Sequence, residues 1–150
     1  MAITITGGAT ITGGASIGTG GSPSPSGPAG FQGSNFGYRT GGENPNATDI
    51  IDKFSFTSDA NATDVGDLVY ASAQMSGQSS STAGYATTGS TSTNPINSIQ
   101  KFPFTSDTNA SDVADAIATG FANVGSSSSD HGYASGGRPN NSAIQKFTFS

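Results

Sequence analysis

Ile51-Asp52-Lys53-Phe54-Ser55-Phe56-Thr57-Ser58-Asp59 is read again 48 residues later as Ile99-Gln100-Lys101-Phe102-Pro103-Phe104-Thr105-Ser106-Asp107. A third copy runs Ile144-Gln145-Lys146-Phe147-Thr148-Phe149-Ser150. Residues 50–65 and 98–113 agree at 11 of 16 positions, far above chance for so short a window. Upstream of each copy stands a Gly-Tyr pair, Gly37-Tyr38, Gly84-Tyr85 and Gly132-Tyr133, spaced 47 and 48 residues apart. Two of these continue into a Gly pair, Gly41-Gly42 and Gly136-Gly137, and the middle copy has Thr88-Gly89. The chain over 37–150 is therefore an internal repeat, with units 37–83 and 84–131 and a half-unit 132–150.

A period of this length admits helical pairs or propeller blades. Helical repeats need apolar stripes at 3.6-residue spacing, and the chain has one leucine, Leu68. The unit instead offers short β-type runs broken by Gly, Ser and Asn, three or four to a unit, which is blade-like. In Lys53-Phe54-Ser55-Phe56 a strand sends both rings to one face, with Lys and Ser on the other. Burying two such rings contributes roughly 3–6 kcal/mol per unit. The expected repeat core is Tyr38, Phe54, Phe56, Tyr85, Phe102, Phe104, Tyr133, Phe147 and Phe149. The tyrosines could alternatively form a ladder for a sugar or a partner. Pro103 donates no ladder hydrogen bond, so its strand is expected to have one side free or to lie near a blade edge. Ser111–Ala118 has the propensity for two helical turns. Its repeat partner, Thr63–Tyr70, carries a central glycine and a β-rich end, and strand is the expectation for both.

Ahead of the repeat lie two further segments. Residues 1–21 alternate Ile and Thr between Gly pairs, placing Ile3 and Ile5 on one face, with Ile11 in the second copy of the pattern. The expectation is a β-type docking or assembly segment that uses Ile3, Ile5 and Ile11. Residues 22–36 hold Ser22-Pro23-Ser24-Pro25-Ser26-Gly27-Pro28, whose proline density gives an extended linker.

Composition removes several function classes. Gly, Ser, Thr and Pro supply 71 of the 150 residues, and Leu, Ile, Val and Phe only 24. A core this thin leans on partners, metals or disulfides. With no cysteine, disulfides, thiolate zinc sites and thiol catalysis are excluded. No apolar run approaches the roughly 18–20 residues of a membrane span, and no secretory signal is expected at the N-terminus. The net charge is −5 with only five Lys and Arg, which argues against nucleic-acid binding. One histidine and one glutamate leave little for catalysis, so an enzyme is not expected.

Two acidic loops deserve weighing. Asp59, Asn61 and Asp64, and their counterparts Asp107, Asn109 and Asp112, set carboxylate and amide oxygens close in sequence, as a hard cation requires. The competing reading, and the stronger one, is an Asx-type turn in which the same groups bind nearby backbone amides. No metal or other cofactor is expected. Ser126–Ser129, Asp130 and His131 invite a triad, but a triad is a spatial arrangement rather than a run of neighbours. Ala83 stands at the histidine position in the middle copy, so the repeat does not require it. Asn46, Asn61, Asn109 and Asn140 match the glycan-acceptor pattern, which a chain rich in Ser, Thr and Asn meets by composition.

The order of a Ser-rich run, His131-Gly132-Tyr133-Ala134-Ser135-Gly136-Gly137, a spacer, and Ile-Gln-Lys-Phe-Thr-Phe resembles the kelch-type propeller repeat. In that family an aromatic strand ends in a double glycine and a second aromatic strand follows. The wording of the repeat resembles proteins of cyanophages and other marine tailed phages, and the Ile-Thr-Gly-Gly start is similar to those of their virion proteins. Kelch blades usually carry a tryptophan, and this chain has none. The resemblance implies an all-β protein of kelch-like or propeller-like repeats of short antiparallel strands, following the Gly/Thr-rich β segment. It implies a virion-surface appendage, a tail fibre, spike or head decoration, fastened to other virion proteins through residues 1–21 and touching a host-surface glycan. The alternative is a cellular kelch-like carbohydrate- or protein-binding module. Closed propellers need at least four blades, so the expected partner is further copies of the chain, with a trimer as the first expectation.

Overall fold

The computed structural model describes residues 35–139 and 142–150. The expected docking segment 1–21, with Ile3, Ile5 and Ile11, lies outside the described residues, as does most of the linker 22–36. Ten strands occur among the described residues, with no helix. They are β1 (Phe36–Thr40), β2 (Ile50–Ser55), β3 (Thr63–Asp67), β4 (Ser76–Ser79), β5 (Ala83–Thr87), β6 (Ile96–Pro103), β7 (Ser111–Gly120), β8 (Val124–Ser127), β9 (His131–Ser135) and β10 (Ile144–Thr148). The protein is all-β. β1 opens at Phe36, one residue before the Gly37 boundary drawn from the repeat.

The strands form three small antiparallel sheets, each a meander in chain order: β1-β2-β3, β4-β5-β6-β7 and β8-β9-β10. The described residues do not close a propeller. Only the middle sheet has four strands, and it defines the full unit. The first sheet lacks a counterpart of β4 among the described residues, and the third lacks a counterpart of β7. Both stretches weighed between helix and strand are strands, β3 and β7. β6 is an inner strand rather than an edge. Pro103 is tolerated because it is the last residue of β6, past the point where the β7 ladder stops at Lys101 and Ser111.

Strand register explains the Gly-Tyr signature. Gly37, Gly84 and Gly132 pair directly with Phe54, Phe102 and Phe147 across their hairpins. The far end of each phenylalanine ring lies over its glycine, so a Cβ there would stand 2.2–2.3 Å from the ring. The glycine is a seat for the ring. The adjacent tyrosine necessarily faces the other side of the sheet.

The sheets stack face to face, and the core lies in the two joints. Ile51, Leu68, Ala86 and Phe102 are buried between the first and second sheets; Ala83, Tyr85 and Ile99 are buried between the second and third. Phe54 and Phe56, expected in the repeat core, are exposed at 37% and 56%. The physical reason is position: they lie on the outer face of the first sheet, against which no described sheet packs.

The double-glycine positions take left-handed backbone. Gly41 and Gly136 have φ of 60° and 70°, and Thr88 adopts the same conformation with φ of 54°. A β-branched residue is strained there. Thr88 is fully buried, and its amide donates to Ser98 O while its hydroxyl reaches Thr87 O and Asn123 Oδ1.

Candidate functional site

Each joint is built from the same parts, taken from equivalent positions of successive units. A tyrosine of one sheet lies on the phenylalanine pair of the next. Tyr38 stacks on Phe104 with centroids 5.1 Å apart and tilts against Phe102 at 5.3 Å. Tyr85 stacks on Phe149 at 4.8 Å and tilts against Phe147 at 5.5 Å. Offset and tilted ring pairs at these separations add to the free energy of burial.

A glutamine closes the polar side of the joint. The amides of Val69 and Tyr70, just past β3, donate to Gln100 Oε1 at 2.7 and 3.1 Å. In the next joint the amide of Ala118 donates to Gln145 Oε1 at 3.0 Å. At the same position the first sheet carries Asp52, which pairs with Arg39 at 3.0 Å.

Lysine supplies a third element. Lys53 Nζ donates to Asp107 Oδ1 at 3.0 Å, reaching from the first sheet to the loop after β6. Lys101 Nζ, at the same repeat position, reaches instead a main-chain oxygen, Ser150 O, one residue past Phe149. The hydrogen bond to Asp107, aided by its charge and opposed by partial burial, holds the Lys53 ammonium above the ordinary lysine pKa.

Along the edge strands β4 and β8 the backbones of the second and third sheets approach closely. A Cβ on Gly125 of β8 would stand 2.2 Å from Gly77 O of β4, so only glycine allows the approach. Gln78 strengthens this contact, donating to Tyr133 O at 2.9 Å, and the Ser79 amide donates to Ser127 Oγ at 3.0 Å.

Beside β1 the pattern is interrupted. Among the described residues β1 is the edge of its sheet, whereas β5 and β9 are flanked by β4 and β8. A groove of about 610 Å³ runs there, lined by Phe36, Tyr38, Phe56, Gln78, Ser79 and Ser127 among others. In the sequence, Ala29-Gly30-Phe31-Gln32 stands 47 residues before Ser76–Ser79 and carries glycine where β4 has Gly77 and β8 has Gly125. That stretch lies outside the described residues.

The remaining sequence candidates have structural roles, some within a turn and some between sheets. Asp64 Oδ1 accepts from the Gly66 amide at 3.2 Å, an Asx-type turn, and Asn109 Oδ1 accepts from the Asp67 amide at 3.1 Å. Asp107 is engaged by Lys53, and Asp59, Asn61 and Asp112 are exposed. Among the described residues no three His, Asp or Glu side chains gather into a cation site. Ser128 Oγ accepts from the Asp130 and His131 amides, and Ser80 Oγ does the same for Thr82 and Ala83. The Ser-rich run before His131 is thus a repeated turn. The His131 ring lies 6.5 Å from that of Tyr133.

Sequence reasoning found the aromatic positions but not their division of labour across sheets. It passed over the glutamines, although the repeated Ile-Gln-Lys-Phe marks them, and it did not read the glycine before Tyr38, Tyr85 and Tyr133 as a ring seat. A scan against protein-family models and a search of curated proteins both give no match to this chain.

Proposed function

We propose that the chain is a structural protein of a phage particle, an appendage such as a tail fibre, spike or head decoration exposed on the virion surface. The observation that carries this reading is the recurring joint. Repeated aromatics, glutamines and lysines fasten one sheet to the next, the arrangement of a rigid building element. The virion part rests on the kelch-like resemblance to marine phage proteins. In this reading the sheets are propeller-like blades shared among copies, three as the first expectation, and residues 1–21 fasten them to other virion proteins. Mass spectrometry of gradient-purified particles, with immunogold labelling, tests it. The protein should co-purify in fixed ratio to the major capsid protein; its loss from intact particles overturns the reading.

The groove beside β1 favours a second reading, a cellular kelch-like module that binds a carbohydrate or an extended peptide. Aromatic faces beside hydroxyl and amide side chains suit a sugar ring, and a host-surface glycan would use the same groove on a virion. Glycan-array binding that is lost in Tyr38→Ala would support recognition at this place. Particles that lack the protein, in cells that retain it, would favour the cellular module.

A further inference from the structure

The two outer faces of the stack are the two halves of a joint that the chain already makes twice. On the first sheet, Phe54 and Asp52 share the outer face, because they pair across the hairpin with Gly37 and Arg39. On the third sheet, Tyr133, Ile144 and Lys146 share the other outer face, since Tyr133 pairs with Lys146 and Ile144 lies two residues along the same strand. Phe54 and Phe56 are positioned as Phe102 and Phe104 are, but no tyrosine covers them. Tyr133 is positioned as Tyr38 and Tyr85 are, and among the described residues its ring meets only that of His131.

Burial makes the same point. Ile51 and Ile99 are 1% and 2% exposed inside the joints, while Ile144 at the equivalent place is 73% exposed. Phe102 is 5% exposed and its counterpart Phe54 is 37%. Charge agrees as well. Lys53 bonds Asp107 across the first joint. The equivalents are Lys146, on one outer face, and Asp59, exposed in the loop after β2, and neither forms an ion pair among the described residues. A stacked repeat that ended at these faces would ordinarily present a polar cap; the outer faces of the described sheets present Ile, Tyr and Phe. The glutamine position fits too. No counterpart of β7 is described in the third sheet to donate amides across such a contact, and the first sheet places there an acid already paired with Arg39.

We propose that a second copy of this chain occupies these faces head to tail, with Tyr133 and Ile144 of one copy seated on Phe54 and Phe56 of the next, and Lys146 paired with Asp59. The contact is heterologous, so it propagates into a ring or a filament rather than ending at a two-fold dimer. It deepens the self-association within the proposed function and is independent of the virion assignment: the protein can be found in particles whether or not copies join in this way.

Sedimentation velocity of the full chain over a concentration series tests the proposal. Wild type should form a concentration-dependent series of oligomers. Ile144→Asp and Phe56→Asp, each with an unchanged circular dichroism spectrum, should each weaken association at least tenfold. Mixed in equal amounts they should form dimers and nothing larger, because each retains the one face the other lacks. Lys146→Asp and Asp59→Lys should each weaken association a few-fold, and the double variant should recover it. Wild type that stays monomeric throughout, a mixture that stays monomeric, or charge reversals with no effect singly or together would overturn it. The charge pair keeps the test open even if an apolar variant fails to fold.

Discussion

The second sheet and the first differ more in their surroundings than in their sequence. Phe102 and Phe54 occupy the same repeat position, lie over the same kind of glycine and pair with it in the same register. One is 5% exposed and the other 37%, because Tyr38 covers the first and no described residue plays that part for the second. The third sheet shows the converse, with Ile144 bare where Ile51 and Ile99 are covered. A repeat thus carries its packing surface into every copy, and only the position in the stack decides whether that surface is used.

This comparison can be broken most directly by truncation in equilibrium denaturation, at concentrations too low for copies to associate. Phe102→Ala removes a ring enclosed by Tyr38 and Phe104 and should cost about 3–5 kcal/mol, while Phe54→Ala should cost about 1 kcal/mol. Similar losses at both sites would mean that the outer face of the first sheet is covered within a single copy. Ile99→Ala should cost about 2–4 kcal/mol, and Ile144→Ala should stay within about 0.5 kcal/mol.

Glycines sharpen the comparison at smaller amplitude. Gly125→Ala pushes a methyl into the β4 backbone and should cost about 1–3 kcal/mol. Gly77 has nothing within 4 Å of the equivalent place among the described residues. Gly77→Ala should therefore be nearly neutral in thermal melts. A Gly77→Ala loss as large as that of Gly125→Ala would report a filled groove beside β1.

The smallest effect is that of pH. Lys53 has its pKa raised in the folded protein by Asp107, so the ammonium is favoured in the folded state. The contribution is complete below the unfolded lysine value of about 10.4 and is lost as pH rises through the higher folded value. Its side chain is 21% exposed and that of Asp107 is 55% exposed, so screening keeps the effect small. In Asp107→Asn the melting temperature should fall slightly at neutral pH, and the decline that wild type shows above about pH 10.4 should be reduced. An unchanged alkaline profile would remove Lys53 as its source.

Much of this was legible in the residues. Spacing of the Ile-x-Lys-Phe-x-Phe copies marks the period but not the sheet boundaries, since β4 and β8 fall within units 37–83 and 84–131 yet pair into the following sheet. The central glycine and β-rich end of 63–70 point to strand over a helical alternative for both 63–70 and 111–118. Tyr38 and Tyr85 are expected in the repeat core, and they lie between sheets, since strand alternation turns them away from their own phenylalanines. Pro103 is expected on a strand with one side free or near a blade edge; it ends β6, an inner strand, where the side toward β7 is free because that ladder stops at Lys101. Phe54 and Phe56 were expected to be buried like their equivalents, and neighbour identity overrode residue identity.

Residue order alone shows recurring β-type units, the aromatic positions within them, and a glycine before each repeat tyrosine, Tyr38, Tyr85 and Tyr133. Those are properties of local spacing and side-chain size, and a linear string records them. Only the tertiary structure decided which faces meet, how glutamine and lysine bridge successive sheets, and which two faces are left over. Burial depends on what lies across a face, and that neighbour belongs to a unit some 50 residues away.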